Sequence, residues 1–171
     1  MIISQEQKEI NAARELVSKS ELKQVRLHRC HTELQGEENS LTPPFGLAQS
    51  HNTAAVLIDN VLHIEVAFNF QGFDGSEGKA SLFSIQCSFD VDYEVEAGYH
   101  PDQEAIDAFK DGNAVFNCWP YARECVQNLA SRMALSHPPP LPLLRMVPIA
   151  KPPAKVAPPK SAPSDAPALK E

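Results

Sequence analysis

The sequence predicts an α+β fold: a four-stranded antiparallel meander with two C-terminal helices on one face and a short N-terminal helix. Strict apolar–polar alternation over Val61–Phe70 and Lys79–Val95 is typical of strands that bury one face. Apolar residues at helical spacing follow Pro101 and again follow Pro120. With 171 residues, 43% of them hydrophobic, the chain is long enough to bury the core of one such domain.

The elements before the long strands are predicted from shorter patterns. Ser4–Lys19 has apolar residues near one helical face and is predicted to be a helix. Leu22–Leu34 is predicted to be the first strand, although its alternation is brief. Gly36–Gln49 is rich in turn-forming residues and is predicted to be a loop, followed by a short second strand over Ala54–Asp59.

The two long strands are predicted to form a hairpin through the glycine-rich segment Gly72–Gly78. Along the last strand, one face carries large apolar side chains, among them Phe83, Ile85 and Cys87. Serine, glutamine and acidic residues occupy the alternate positions, at Ser84, Gln86, Ser88, Asp90, Asp92 and Glu94. With the helices on the apolar side, the other sheet face is expected to be exposed and acidic.

The two predicted helices have distinct start signals. Pro101–Glu104 resembles an acidic first helical turn. Pro120 is predicted to begin the second helix, because proline is tolerated at a first helical position and kinks a helix interior. The expected buried face of that helix has spacings of three and four, at Ala122, Cys125, Val126, Leu129 and Met133.

Residues 1–148 are predicted to form the folded domain, and 149–171 a disordered tail rich in proline, alanine and lysine. Of the 15 prolines, 11 lie at or after position 138. The tail carries four lysines against two acidic residues, so the net charge of −7 for the chain becomes −9 for the domain. That charge disfavours nucleic acid and anionic lipid as partners.

The opening residues lack a basic segment followed by a long apolar run, and no stretch approaches the length of a transmembrane helix. A cytoplasmic location is therefore expected. In that compartment the four cysteines are expected to be reduced thiols that mostly fill the core, at Cys30, Cys87, Cys118 and Cys125.

Two side-chain groups raise the question of a metal site. Asp90, Asp92 and Glu94 would project in parallel from one strand about 6–7 Å apart, which suits a solvated face better than converging metal ligands. His28 and His31 would point to opposite faces of the first strand, while His28 and Cys30 would share a face. Neither group favours a metal.

No catalytic motif is present: there is no nucleophile elbow, phosphate loop or dinucleotide fingerprint. Cys118 and Cys125 lie seven residues apart, which allows a redox role but favours core packing. We therefore expect a protein without cofactors that is not an enzyme; an enzyme using these cysteines or the Asp90 strand is the less favoured alternative.

The supply of apolar side chains exceeds what two helices on a small sheet can cover. Aromatic residues cluster in the last strands and around the predicted helix join, and further apolar residues occur in Pro43–Phe45 and Pro140–Leu144. A surplus of this kind predicts an oligomer interface or a groove for another chain.

The string Pro-Tyr-Ala-Arg-Glu-Cys at 120–125, followed by Ser131-Arg132, resembles the second helix of SecB, the bacterial export chaperone. The longer run Asn113–Glu124, with Arg132–Leu135 and Leu141–Leu144, is similar to the wider SecB-like group, which includes chaperones of toxin–antitoxin systems. The resemblance covers roughly Leu22–Val147.

This resemblance implies a homotetramer, built as a dimer of dimers, that holds unfolded polypeptides in hydrophobic grooves without ATP. It implies protein transport or export as the process, or, alternatively, service to one partner such as an antitoxin. The client-binding residues that it implies are Phe83, Ile85, Cys87, Trp119 and Tyr121.

The resemblance also implies a partner surface on the outward face of the last strand. SecB presents a leucine and an acidic residue there to the motor protein SecA. This sequence keeps Leu82 but has Ser84 at the acidic position, and its acidic residues come later, at Asp90, Asp92 and Glu94. Docking to SecA is therefore left open, as is the role of the tail.

Overall fold

The computed structural model describes residues 2–5, 7–35, 45–74, 81–135, 141 and 143–148. A π-helical turn over Lys110–Ala114 joins the last two helices. In chain order the elements are β1 (Ile2–Gln5), α1 (Gln7–Ser18), β2 (Ser20–Leu34), β3 (Phe45–Ile58), β4 (Val61–Asp74), β5 (Ser81–Val95), α2 (Gln103–Phe109), α3 (Val115–Arg132) and β6 (Arg145–Pro148).

The main sheet has the strand order β2-β5-β4-β3, and every neighbouring pair is antiparallel. The predicted α+β class, with a four-stranded antiparallel sheet, is confirmed. Only β3, β4 and β5 form a meander; β2 pairs with β5 and not with β3. Burial accounts for this order, because β5 is buried along most of its length and needs a neighbour on each side, whereas the largely exposed β2 suits an edge.

Strand β3 is longer than the sequence predicted, since it begins at Phe45 and not at Ala54. Its whole length pairs with β4, from Phe45 opposite Asp74 to Ile58 opposite Val61. The turn at Asp59 and Asn60 has φ values of 47° and 65°, as in the two-residue turns that match strand twist. Pairing with β4 thus overrides the turn-forming character of residues 45–49; residues 36–44 lie outside the described range.

The core lies between the sheet and α3, which packs on β4 and β5. Trp119 of α3 packs on the sheet, with its ring centroid 5.8 Å from that of Phe68. Farther along, Tyr93 of β5 meets Phe109 of α2 edge to face at 4.8 Å. The alternating apolar sets predicted for both long strands therefore form the inner side of the sheet.

The prediction that a helix begins at Pro120 is wrong, because α3 begins at Val115 and Pro120 lies inside it. Trp119 and Ala122 are both buried around the proline. Their packing outweighs the loss of one helical hydrogen bond, and the proline ring itself faces solvent. The predicted acidic start is confirmed: the Ala105 amide donates a hydrogen bond of 2.7 Å to the Asp102 carboxylate.

Both ends of the domain contain short strands that the sequence did not predict. The predicted helix Ser4–Lys19 is shorter, as α1, and β1 precedes it and pairs in parallel with β6. Before β6, Leu141 is buried, and its carbonyl accepts a 3.0 Å hydrogen bond from Arg123 Nε. The proposed tail, 149–171, lies outside the described residues and remains a prediction, as does the domain boundary.

Candidate functional site

Among the described helices, none covers the inner face of β2 over its whole length. A helix is about 10 Å wide and strands lie about 4.8 Å apart, so one helix covers about two strands. Since α3 lies over β4 and β5, the inner side chains of β2 extend beyond it. Leu27 is 50% exposed although it lies opposite the buried Phe89.

This uncovered region forms an open cleft of about 600 Å³ between β2 and α3, which we call the β2–α3 cleft. Its walls are mainly apolar, and Glu124, Asn128 and Arg132 give it a mixed polar rim. The remaining lining residues are Val25, Leu27, Cys30, Phe89, Tyr121, Cys125 and Leu129. A cleft with this lining can bind an apolar side chain through burial and orient a peptide backbone through its rim.

The residues expected to bind clients fall into two groups. Tyr121 lines the cleft, is 46% exposed and has its ring 6.4 Å from that of Phe89. The other four lie in the core beneath or beside the cleft, each no more than 2% exposed: Phe83, Ile85, Cys87 and Trp119. In this conformation they support the cleft without lining it, and their role in client binding remains a prediction.

Three of the four thiols lie near one another: Cys30 and Cys125 line the cleft, and Cys87 lies beneath it. Cys30 and Cys87 are directly opposite each other in the β2–β5 ladder, and the Cys125 side chain of α3 lies close enough to both to interact with them. The interaction with Cys87, together with that with Cys30, lowers the pKa of Cys125 to about 7 despite opposing desolvation. The pKa of Cys125 is thus lower than that of an ordinary thiol, whereas burial raises the pKa of Cys118 to about 12.

The pKa values of Cys87 and Cys30 are raised, whereas the pKa of Cys125 is lowered. The interaction with Cys125, together with burial, raises the pKa of Cys87, so that thiol stays protonated. Desolvation and the neighbouring Cys125 charge raise the pKa of Cys30. Of the three thiols, Cys125 is therefore the one that loses its proton most readily.

The outer face of the sheet is acidic in sequence, but its carboxylates are paired with bases on neighbouring strands. Arg26 Nη2 and His28 Nδ1 lie 2.9 Å and 3.0 Å from Asp90 Oδ2. Partial desolvation raises the pKa of Asp90, but these two hydrogen bonds outweigh it and lower the pKa overall. Further along, His63 Nδ1 lies 2.7 Å from Asp92 Oδ1, and Lys23 Nζ lies 2.6 Å from Glu94 Oε2.

The partner residues implied by the SecB resemblance therefore differ in accessibility. Leu82 and Ser84 are buried, at 2% and 6% exposure. Asp90 and Asp92 are partly accessible, and Glu94 is exposed. Their use by a partner remains a prediction, and it would require a partner able to compete with the existing ion pairs.

The prediction that His28 and Cys30 share a face of β2 is wrong, because the strand has a bulge between Leu27 and Arg29. His28 contacts Asp90 on the outer face, while Cys30 pairs with Cys87 on the inner face, so these two residues do not share a face. The extra residue at the bulge reverses the alternation. Among the described residues, no group of three or more histidine, cysteine or acidic side chains is placed to hold a metal ion.

The cleft residues of β2 are the part of the site that the sequence did not reveal. Two bulges make the inner positions three residues apart in two places, so a strict period of two misses them. The sequence signal that could have revealed these inner residues is the mixed spacing of two, three and four between apolar positions, at Leu22, Val25, Leu27, Cys30 and Leu34.

No described helix is both long enough and apolar enough to cross a membrane. The described part of the chain forms an antiparallel sheet with an α-helical layer on one side and an apolar flank, at β2, that the described helices leave uncovered. No protein-family model and no curated protein matches the chain.

The fold is SecB-like. Among solved structures, the chain is similar to the Mycobacterium tuberculosis SecB-like chaperone Rv1957 in complex with a ChAD peptide from the HigA1 antitoxin Rv1956. The TM-score is 0.68 at 16% identity, over 80% of this chain and 99% of that chain. A protein of unknown function from Streptococcus agalactiae matches with a TM-score of 0.41 at 13% identity, over 70% of this chain and 93% of that one, and we draw nothing from it.

Proposed function

We propose that this protein is an ATP-independent holdase that binds unfolded or non-native polypeptides in the β2–α3 cleft. The observation that supports the proposal is the uncovered apolar flank, in which Leu27 and Tyr121 are each about half exposed on a SecB-like fold. An apolar surface beside an edge strand suits extended chains, because such a strand offers free backbone groups as well as apolar contacts.

Reversible burial is sufficient for this activity. Apolar contact contributes about 25 cal/mol per Å², so a few hundred Å² gives several kcal/mol before the entropic costs of binding. One cleft would therefore bind weakly. We propose a cytoplasmic homotetramer, a dimer of dimers, whose several clefts engage one client together and so raise its apparent affinity.

A second candidate function is service to one dedicated partner, such as an antitoxin. It is favoured by the similar Mycobacterium tuberculosis chaperone, whose structure contains an antitoxin peptide. Protein export through SecA has weaker support here, because Leu82 and Ser84 are buried and the nearby Asp90 is already ion-paired.

The test is suppression of aggregation by the purified full-length protein without ATP. Leu27→Glu places a charge in the cleft, and Val56→Glu is the matched control, because Val56 is 51% exposed on the outer side of the other edge strand. We expect Leu27→Glu to require at least about fivefold more protein for equal suppression, equivalent to about 1 kcal/mol. Val56→Glu should match the wild type.

Each outcome decides a part of the proposal. Suppression of several unrelated clients supports a general holdase, whereas binding of a single partner alone supports the dedicated chaperone. If Leu27→Glu suppresses aggregation as well as the wild type does, the cleft is not the binding site. Light scattering should report about four times the 18.8 kDa chain mass, and a monomer would refute the tetramer.

A further inference from the structure

The thiol cluster in the β2–α3 cleft brings together side chains from three elements. Cys30 belongs to the edge strand β2, Cys125 to α3, and Cys87 to β5 between them. Cys30 is exposed and Cys125 is partly exposed, whereas Cys87 and Cys118 are buried. A dissolved oxidant therefore reaches Cys30 and Cys125 first.

We propose that Cys30 and Cys125 form a reversible disulfide that ties β2 to α3 across the cleft and closes it to polypeptides. The inference rests on the proposed holdase function of the same cleft. Three observations carry it: both cysteines line the cleft, they come from its opposite walls, and their side chains lie close enough to interact.

The reaction begins at Cys125, because its lowered pKa makes it the available thiolate. The oxidant is a low-molecular-weight disulfide. The Cys125 thiolate attacks one of its sulfur atoms, forms a mixed disulfide and releases one small thiol. Cys30 then loses its proton and attacks the Cys125 sulfur, releasing the second small thiol. Two protein thiols are thereby oxidised to one disulfide, and the small disulfide is reduced to two thiols.

Closure follows from the positions of the two cysteines within the apolar walls. On α3, Cys125 lies between Tyr121 and Leu129, which are each one helical turn away. On β2, the inner residue before Cys30 is Leu27. A disulfide holds its two Cα atoms within about 4.4–6.8 Å. The disulfide therefore fixes β2 and α3 to each other at this point and prevents the apolar walls from separating to admit a client side chain.

Cys87 has a supporting role in this arrangement. Its interaction with Cys125 lowers the pKa of the Cys125 thiol and so favours the deprotonated form of that residue. Being buried, with a raised pKa, it is itself a poor nucleophile at neutral pH. It could nevertheless compete for a disulfide with Cys30, since those residues are opposite neighbours in the ladder, so the experiment must identify the bonded pair.

The experiment treats the full-length protein with oxidised glutathione and maps the products by mass spectrometry under non-reducing conditions. We expect the wild type to lose two thiols and to yield a Cys30–Cys125 cross-linked peptide. In Cys30→Ser, glutathione should remain attached to Cys125, because the remaining neighbour, the buried Cys87, is a poor nucleophile. Cys118→Ala should form the cross-link as the wild type does.

Aggregation suppression is then compared between the oxidised and reduced forms of each protein. Oxidised wild type and oxidised Cys118→Ala should each need at least about fivefold more protein than their own reduced forms, and a dithiol reductant should restore them. A Cys30–Cys87 or intermolecular cross-link would overturn the proposal, as would unchanged suppression after cross-linking.

Failure of the reduced wild type to suppress aggregation would instead overturn the holdase function, and with it the effect of closure. The mapped cross-link would still decide whether the disulfide forms. The two failures are therefore distinguishable in one set of samples.

Discussion

Replacement of Phe83 by alanine tests whether Phe83 is a core residue or a client-binding residue. Phe83 is fully buried, and its ring lies over Gly72 of the neighbouring strand. Removing a buried phenylalanine ring costs about 3–5 kcal/mol through lost burial and the cavity left behind. Because domains of this kind are stable by about 5–15 kcal/mol, the loss is a large share of the total free energy of unfolding.

Leu27→Ala is the counterpart in the cleft. Leu27 is half exposed, so its truncation leaves no enclosed cavity and loses only part of the transfer free energy, about 1 kcal/mol. The two variants should therefore show opposite patterns. Phe83→Ala should lose stability, whereas Leu27→Ala should lose client holding with little change in stability.

Urea unfolding, followed by the fluorescence of the single tryptophan, measures the difference. Trp119 is buried against Phe68 and Phe70, so its emission reports on the core. With a slope of about 2 kcal/mol per molar urea, Phe83→Ala should lower the midpoint by about 2 M. Protein concentration must be kept constant, because assembly adds to the apparent stability.

One result would refute this reasoning. If Phe83→Ala lowers the free energy of unfolding by less than about 1 kcal/mol, no more than Leu27→Ala does, then the ring is not fixed in the core. Phe83 would then be free to reach a client, as the SecB resemblance implies.

Three further predictions concern other parts of the chain. Gly72→Ala should destabilise the fold by about 1–3 kcal/mol in urea unfolding, because its Cβ would lie 2.1 Å from the Phe83 ring; no measurable loss would show that the ring moves aside. Asp90→Asn should cost less than about 1 kcal/mol at pH 7, and the difference from the wild type should shrink as pH falls below about 4 and vanish below the lowered pKa of Asp90 in the folded protein. The sign follows from the lowered pKa of Asp90, which adds stability above the unfolded pKa and loses it as the carboxylate is protonated; a difference that grows in acid would contradict this. Truncation after Pro148 should leave melting temperature and oligomeric state unchanged, because few large apolar side chains follow; a large fall in melting temperature would show that the tail packs on the domain.

The alternation in β4 and β5 was sufficient to predict the two central strands and their inner faces. Side chains two apart in a strand share a face whatever its neighbours are, so local sequence carries this information. The helix start at Asp102 is also encoded locally, because the Asp102 carboxylate accepts a hydrogen bond from the amide of Ala105, only three residues further along. The helix string at 120–125 led to a SecB-like resemblance, and the structure confirms a SecB-like fold.

Long-range pairing decided the rest. The sequence does not show that β2 lies beside β5, because the hydrogen bonds between them join residues far apart in the chain. Two bulges in β2 interrupt its alternation, and the one between Leu27 and Arg29 places Cys30 on the opposite face from His28; only pairing with β5 reveals them. Packing of Trp119 and Ala122 on the sheet likewise decided that α3 continues through Pro120, against the local preference of proline.

The sequence alone therefore determined the two central strands, the helix start at Asp102 and the surplus of apolar side chains, because each follows from local periodicity and composition. Where that surplus lies was decided by the tertiary structure. One helix covers two strands, so β2 is left with its inner residues exposed, and Cys30 faces Cys125 across the resulting cleft. Residues 95 positions apart become neighbours only when the sheet order and the helix position are both fixed.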